Sequence, residues 1–313
     1  MVDICLLGCG GGMPMPFRSL SSTILNFKGR KILIDCGEGT QVSMKIAGTG
    51  FKDIDLICIT HCHGDHIVGL PGLLATIGNS GRIQPLTIIG PSGITEVVNG
   101  LRVIAKYLPY EINIIENPKE VKFDINKEKL ELSKENCQLI LSCLEVEHSS
   151  TCIGYSFYFK RDRKFSLEKA EENNVPKVLW NKLQKGNNEI IIYDGKTYKK
   201  EMVLGEERRG IKLSLITDTR PLKDIITFIK DSDLFICEGT YGDDADIEKA
   251  IKNKHMTFRE AALLAKEGKC KEMLLTHFSP SMIEPKEYEE NAKSIFENTI
   301  IGEDRMKKEL AFK

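Results

Sequence analysis

His61-Cys62-His63-Gly64-Asp65-His66 sets three imidazoles and one carboxylate within six residues, directly after the apolar run Leu56 to Thr60. Both groups are good zinc ligands, yet four of them in so short a turn cannot all reach one tetrahedral ion. Two ions are the natural reading of the spacing. The chain has only six histidines, and His148, His255 and His277 stand singly later on. His148 follows the strand-like run Leu139 to Glu147, Asp218 follows Leu213 to Thr217, and His277 follows Met273 to Thr276. In open α/β sheets the carboxyl ends of strands are where sites gather, so these residues are predicted to converge at one sheet edge. Cys62 lies between two candidate ligands, but alternation along an extended turn points it away from them.

Working outward, short runs rich in Ile, Val and Leu recur between turn residues: Ile4 to Leu7, Thr23 to Phe27, Ile32 to Ile34, Leu86 to Ile89 and Thr151 to Tyr158. These are strand signals. A later set, with Leu234 to Cys237 among it, alternates with helical periodicity at Phe258 to Lys266 and Tyr288 to Phe296. Alternating strands and helices predict an α/β fold, with sheets covered by helices. The stretch Lys160 to Arg209 breaks the pattern with charge, Asn-rich turns and the lone Trp180. Its 13 Lys and Arg against 9 Asp and Glu leave a net +4 in a chain whose own net charge is -1. It reads as an insertion with its own surface role, or as a solvated helical hairpin.

At 313 residues the chain is long enough to bury a core without disulfide staples. Balanced charge removes any global basic field that would announce nucleic acid, so a polyanion must be held by a local patch or by metal. Ten cysteines occur without a Cys-x-x-Cys pair, several inside apolar runs, as expected of reduced thiols in a cytoplasmic protein. Asp3 near the start is unlike a signal peptide, and no stretch of about 18 apolar residues is present to span a bilayer. No membrane association is expected.

The His61 to His66 run resembles the signature of the metallo-β-lactamase superfamily, with His rather than the Glu of the iron-dependent flavodiiron branch at position 63. That resemblance implies a four-layer αββα sandwich over residues 1–313 as a single domain, with residues 160–209 as an inserted arm. It also implies two zinc ions per subunit: one on His61, His63 and His148, one on Asp65, His66 and His277, with Asp218 bridging. Two such ions can activate a water for in-line attack at phosphorus. Asp35 is either an acceptor that orients a ligand imidazole or a turn residue.

The superfamily hydrolyses many esters, so local motifs must choose a substrate. Gly8-Cys9-Gly10-Gly11-Gly12-Met13-Pro14, Ile34-Asp35-Cys36-Gly37-Glu38-Gly39-Thr40-Gln41, Gly69-Leu70-Pro71-Gly72-Leu73-Leu74 and Thr217-Asp218-Thr219-Arg220 resemble the ribonuclease Z family, which removes the 3′ trailer of precursor tRNA. His255-Met256-Thr257 is similar to that family's His-Ser-Thr loop, where the histidine assists departure of the 3′-oxygen. Glu238 matches the carboxylate that orients it. By this resemblance Asp65, His255 and Glu238 are catalytic, and Thr257, Lys177, Lys182 and Lys185 contact substrate. Thr257 and Glu260 also have capping-box spacing. The resemblance further implies a homodimer acting on precursor tRNA. Two departures stand out: Val175-Pro176-Lys177-Val178-Leu179-Trp180 replaces the usual Gly-Pro-rich turn, and Ser281 stands where an Arg often occurs. The alternative is a related dinuclear hydrolase acting on a small molecule.

Overall fold

Along β1 (Val2–Gly8), Ile4 and Leu6 join one buried cluster while Cys5 and Leu7 join another. The same period of two sorts the next strands, because successive side chains leave opposite faces. In β2 (Ser22–Phe27) Leu25 and Phe27 join the first cluster, in β3 (Arg30–Ile34) Ile32 and Ile34 do, and in β4 (Ile54–Cys58) Leu56 and Cys58 do. Leu33 and Ile57 face the second cluster. A sheet with both faces buried needs a layer on each side. The structure, a computed structural model, describes residues 1–313 except 127, 134–136 and 187–189.

After β5 (Leu86–Gly90) and β6 (Ile112–Glu116), the chain passes into a second sheet through β7 (Glu120–Ile125), β8 (Leu130–Leu132), β9 (Leu139–Val146) and β10 (Cys152–Arg161). A separate hairpin follows, β11 (Ile190–Tyr193) with β12 (Lys196–Lys199). The second sheet resumes with β13 (Arg208–Ile216), β14 (Leu234–Glu238), β15 (Met273–Thr276) and β16 (Thr299–Ile301), and β17 (Met306–Leu310) returns to β1. The sheet orders are β17-β1-β2-β3-β4-β5-β6 and β16-β15-β14-β13-β10-β9-β7-β8. Strands β3 to β6 run parallel, as do β13 to β16.

Phe123, Leu139, Leu141, Tyr155 and Phe157 of the second sheet share the first cluster with Ile4, Leu25 and Leu56, so this core lies between the sheets. The helix Leu70–Asn79 covers the outer face of the first sheet through Leu70, Leu73, Leu74 and Ile77, a spacing of i, i+3, i+4, i+7. Phe258–Glu267 buries Phe258, Ala261, Ala262 and Ala265. The result is the four-layer αββα sandwich. A buried ion cluster links its sheets: Asp55 of β4 accepts from Arg30 at 2.5 Å and Arg82 at 2.9 Å, and from the Leu130 amide of β8 at 2.9 Å.

Residues Met1–Phe159 and Ile211–Lys313 form one compact unit and Lys160–Gly210 another. The second has its own core of Ala170, Val175, Leu179, Leu183, Tyr198 and Val203. Trp180 packs against Phe165, with ring centroids 5.1 Å apart, and its indole donates to the Val175 carbonyl at 2.8 Å. The residue that stood out in the sequence is therefore a packing residue of this unit.

Strands β6, β7, β8, β11, β12, β16 and β17 were not anticipated by apolar runs. In β17, Met306-Lys307-Lys308-Glu309-Leu310, charge occupies an edge strand, where lysines discourage pairing with other chains and mask the strand signal. The helix expected over Tyr288 to Phe296 is shorter: a 3₁₀ turn at Pro285–Tyr288 leads into Glu289–Lys293. Among the described residues no helix is long and apolar enough to cross a membrane.

Candidate metal centre

The candidate ligands and their acidic partners lie at the ends of strands or in the turns that follow them. Asp35 follows β3, the His61 turn follows β4, His148 follows β9, Asp218 follows β13, Glu238 ends β14 and His277 follows β15. Asp35, Asp218 and His277 turn the chain with φ of 58°, 41° and 59°, a left-handed conformation that side chains bearing Cβ rarely adopt. Such backbone persists where the surrounding fold over-determines it, and here it occurs at three residues of one site.

Among the described residues the donor atoms gather in two groups on either side of Asp218, His61, His63 and His148 in one and Asp65, His66 and His277 in the other, and His255 also lies within reach of Asp218 and His277. In the first, His63 Nδ1 lies 3.0 Å from His61 Nε2 and 3.2 Å from His148 Nε2, and Asp218 Oδ2 lies 3.6 and 3.7 Å from those two Nε2 atoms. In the second, His66 Nε2 lies 3.2 Å from His277 Nε2, and Asp65 Oδ2 and Asp218 Oδ1 each lie 3.3 to 3.4 Å from both of those nitrogens. Ligands held about 2.0–2.1 Å from a tetrahedral zinc ion lie about 3.3 Å from one another. Both groups match that edge.

Tautomers supply an independent test of fit. The Thr60 hydroxyl gives its one proton to Asp35 Oδ2 at 2.8 Å, so it accepts from His61 Nδ1 at 3.1 Å. The Thr240 hydroxyl gives its proton to Glu238 Oε2 at 2.6 Å and likewise accepts from His277 Nδ1 at 3.1 Å. His66 Nδ1 donates to Asp35 Oδ2 at 2.8 Å, and His148 Nδ1 to the Lys254 carbonyl at 3.2 Å. With Nδ1 carrying the proton in all four rings, four bare Nε2 lone pairs point into the two groups. Such outer partners are how proteins orient metal-binding imidazoles. The residues fit a pair of divalent ions, and the N/O donor set suits zinc. Of the two readings of Asp35, this geometry carries the first.

Charge points the same way. Burial disfavours the carboxylates of Asp65 and Asp218, yet the surrounding histidines hold both well below the usual range. Burial likewise disfavours the His66 cation, but Asp218, Asp35 and Asp65 push that imidazole up. A divalent ion would take over that attraction for positive charge, leaving the ring in its neutral ligand form. Burial and the neighbouring His66 push the His61 imidazole down to about 2, so it is a neutral donor. Cys62 packs toward the helix-layer core and joins neither group, as its place in the turn predicts.

Beside the ligands sits a dyad. His255 Nδ1 lies 3.2 Å from both oxygens of buried Glu238 and 4.0 Å from Asp218, so Glu238 rather than the metal groups claims it. Burial disfavours its cation, but Glu238, then Asp218 and Asp65, raise it to about 9. Glu238 is held in turn by the amides of Thr219 at 2.7 Å and Met256 at 3.1 Å. His255, His63, His148 and His277 line one open cleft with Lys252 and Lys254.

The remaining expected contacts stand differently. Thr257 is 1 % exposed, and its hydroxyl accepts from the Glu260 amide at 3.3 Å while the Glu260 carboxylate accepts from the Thr257 amide at 3.0 Å. That capping box commits the side chain to starting the helix, the role its spacing from Glu260 predicted. Lys177, Lys182 and Lys185 lie in the helix Lys177–Lys185 of the second unit and are exposed.

Several contributors were not singled out as site residues. Thr60 and Thr240 fix ring tautomers, and Lys254 does so through its backbone, which no side-chain signal reveals. The Gly8 to Gly12 run offered a signal. A Cβ on Gly11 would come within 2.3 Å of the His277 ring, and the Gly12 amide donates to Asp65 Oδ2 at 2.6 Å. Glycine here permits close approach of backbone to ligands.

Comparison with known proteins follows from this geometry. Residues 2–204 match the family described as Anti-Pycsar protein Apyc1. The chain is 66% identical over 314 residues to ribonuclease Z of Clostridium beijerinckii, covering 100% of this chain and 99% of that one. It is 63% identical over 307 residues to ribonuclease Z of Clostridium tetani, covering 98% and 97%. Among solved structures, the short form of human tRNase Z superposes with a TM-score of 0.66 at 23% identity, covering 99% of each chain. The metallo-beta-lactamase fold protein YhfI from Bacillus subtilis superposes at 0.67 with 18% identity over 98% of each. At those identities the two structures speak to the fold alone.

Proposed function

The chain belongs to the ribonuclease Z family as well as to the family of Anti-Pycsar protein Apyc1, and from the end-to-end match to the former we infer that it is a zinc-dependent endoribonuclease that removes the 3′ trailer of precursor tRNA. The observation that carries the reading is the adjacency of two donor groups sharing Asp218 with the Glu238–His255 dyad, all around one cleft. Metal alone would serve many hydrolyses; a buried carboxylate holding a protonated imidazole beside it suits a poor leaving group.

The first ion would rest on His61, His63, His148 and Asp218, the second on Asp65, His66, His277 and Asp218. When bound, such a pair lowers the pKa of water and stabilises charge on the phosphoryl oxygens. Asp65, braced by the Gly12 amide, orients the attacking water and takes its proton. As the new P–O bond forms, the P–O3′ bond breaks opposite it. His255 gives its Nε2 proton to the departing 3′-oxygen, and Glu238 stabilises the imidazolium until that moment. The products are a tRNA 3′-hydroxyl and a trailer with a 5′-phosphate.

The second unit, with exposed Lys177, Lys182 and Lys185, is read as the arm that holds phosphates of the tRNA body without reading sequence. Family likeness also supports a cytoplasmic homodimer, which sedimentation of the purified protein tests. The decisive experiment incubates the protein with one precursor tRNA, with and without chelator, and maps the ends produced. Cleavage at the tRNA–trailer boundary, abolished by chelator and restored by zinc, is expected. Hydrolysis of small diesters with no precursor cleavage would instead favour a small-molecule hydrolase of the same superfamily.

A further inference from the structure

Arg220, two residues after the shared carboxylate Asp218, ligates nothing, yet its side chain reaches the loop that carries His255. Its guanidinium pairs with both carboxylate oxygens of Glu260, one at 3.0 Å, and Nη1 also donates to the backbone carbonyl of His255. Glu260 is the same residue that accepts from the Thr257 amide at 3.0 Å. The backbone of the Asp218 turn is anchored on the other side. The Arg220 amide donates to the Glu147 carbonyl at 3.2 Å, the Glu147 amide donates to Thr219 Oγ1 at 3.0 Å, and the Thr219 amide donates to Glu238 at 2.7 Å. Thr219 and Arg220 thus bind together the loops that carry His148, Asp218, Glu238 and His255.

Both side chains of the Arg220–Glu260 pair are mostly withdrawn from water, at 16 % and 17 % exposure. A pair so placed is a weak source of net stability, because desolvation offsets the attraction, but its planar fork constrains direction. Without it, His255 would keep its ring on Glu238 and Thr240, its amide on the Ala250 carbonyl at 2.8 Å and the neighbouring Met256 amide on Glu238, but would lose the charged tether on its backbone carbonyl. The ring could then tilt about the contacts that remain.

Resting on the function proposed above, we propose that Arg220 is a positioning residue: it holds His255 at the distance and angle from the shared-carboxylate site at which its proton meets the departing oxygen. Small misplacements of an acid are costly in rate and nearly silent in binding.

The test uses the full-length zinc-loaded protein as Arg220→Met and Arg220→Lys, with three substrates. Precursor tRNA and a dinucleotide phosphodiester both expel a ribose 3′-oxygen that needs a proton; bis(p-nitrophenyl) phosphate expels nitrophenolate, which does not. For Arg220→Met the ratio of kcat on the ribose esters to kcat on the aryl ester should fall about tenfold. KM should stay within about twofold and zinc content should be retained. Arg220→Lys, which keeps the charge but loses the fork, should fall between. An equal loss on all three substrates, or a loss confined to KM, would overturn the inference. If Arg220→Met fails to bind zinc or melts early, Arg220→Lys is read by the same ratio. If the wild type cuts the dinucleotide but not precursor tRNA, the proposed function fails while the dinucleotide ratio still decides Arg220.

Discussion

His255 shares its Nδ1 with Glu238 and has Nε2 to spend on chemistry, which sets two expectations. Replacing His255 by Ala removes the proposed proton donor but none of the seven residues assigned to the ions. Precursor cleavage should slow by about 10² or more with two zinc ions still bound, as single-turnover rates and metal analysis would read. Full activity would remove His255 from the mechanism. The pH profile tests Glu238. An imidazole raised to about 9 keeps its proton, and so its acid function, at neutral pH and loses it as pH rises through that value. In the loaded site Asp65 and Asp218 serve the ions, which leaves Glu238 as the raising partner. Glu238→Gln should therefore move the alkaline fall of kcat/KM by more than one unit toward the ordinary value of about 6.5. An unmoved limb would mean that another group titrates.

At the scale of elements, the helix Phe258–Glu267 carries the acid loop at its start, and its capping box joins Thr257 to Glu260. Thr257→Ala should lower stability by about 1 kcal/mol through the lost cap, with a melting midpoint about 2 °C lower. Direct contact with substrate would instead appear as a raised KM without that shift. The buried cluster Arg30–Asp55–Arg82 predicts a larger effect. Asp55→Ala removes the carboxylate shared by two buried guanidinium groups, leaving Arg30 with Asp53 and Arg82 with backbone carbonyls alone, and frees the Leu130 amide, so a loss of about 3 kcal/mol is expected in denaturant unfolding. The Gly8 to Gly12 loop acts on the site itself. Gly11→Ala drives a methyl into the His277 ring and should weaken one of the two zinc ions, read as metal content falling toward one per chain.

For the whole molecule, the metal pair is part of the folding free energy, because only the folded chain brings the seven ligands together. Chelation should lower the melting midpoint, and zinc should restore it. The unit Lys160–Gly210 has its own core, so its removal can be tested against the chemistry of the remainder. Deleting Lys160 to Arg209 should abolish precursor tRNA cleavage while hydrolysis of bis(p-nitrophenyl) phosphate survives. Loss of neither would favour a small-molecule substrate.

Much of this was legible in one dimension because ligation demands particular atoms. No packing argument explains three imidazoles and a carboxylate in His61 to His66, and Asp218, His148 and His277 each announce themselves by following an apolar strand. Apolar runs likewise marked β1 to β5, β9, β10 and β13 to β15. Edge strands such as β17 stayed hidden, since an edge is kept soluble by the same charges that erase the alternation. Three-dimensional folding alone decided that the Thr240 hydroxyl serves His277, that the Lys254 carbonyl serves His148, and that Arg220 spans to His255. Those are long-range hydrogen bonds, with partners 37, 106 and 35 residues apart. Ligand chemistry is written in residue type, whereas orientation arises only when distant chain segments close on one another.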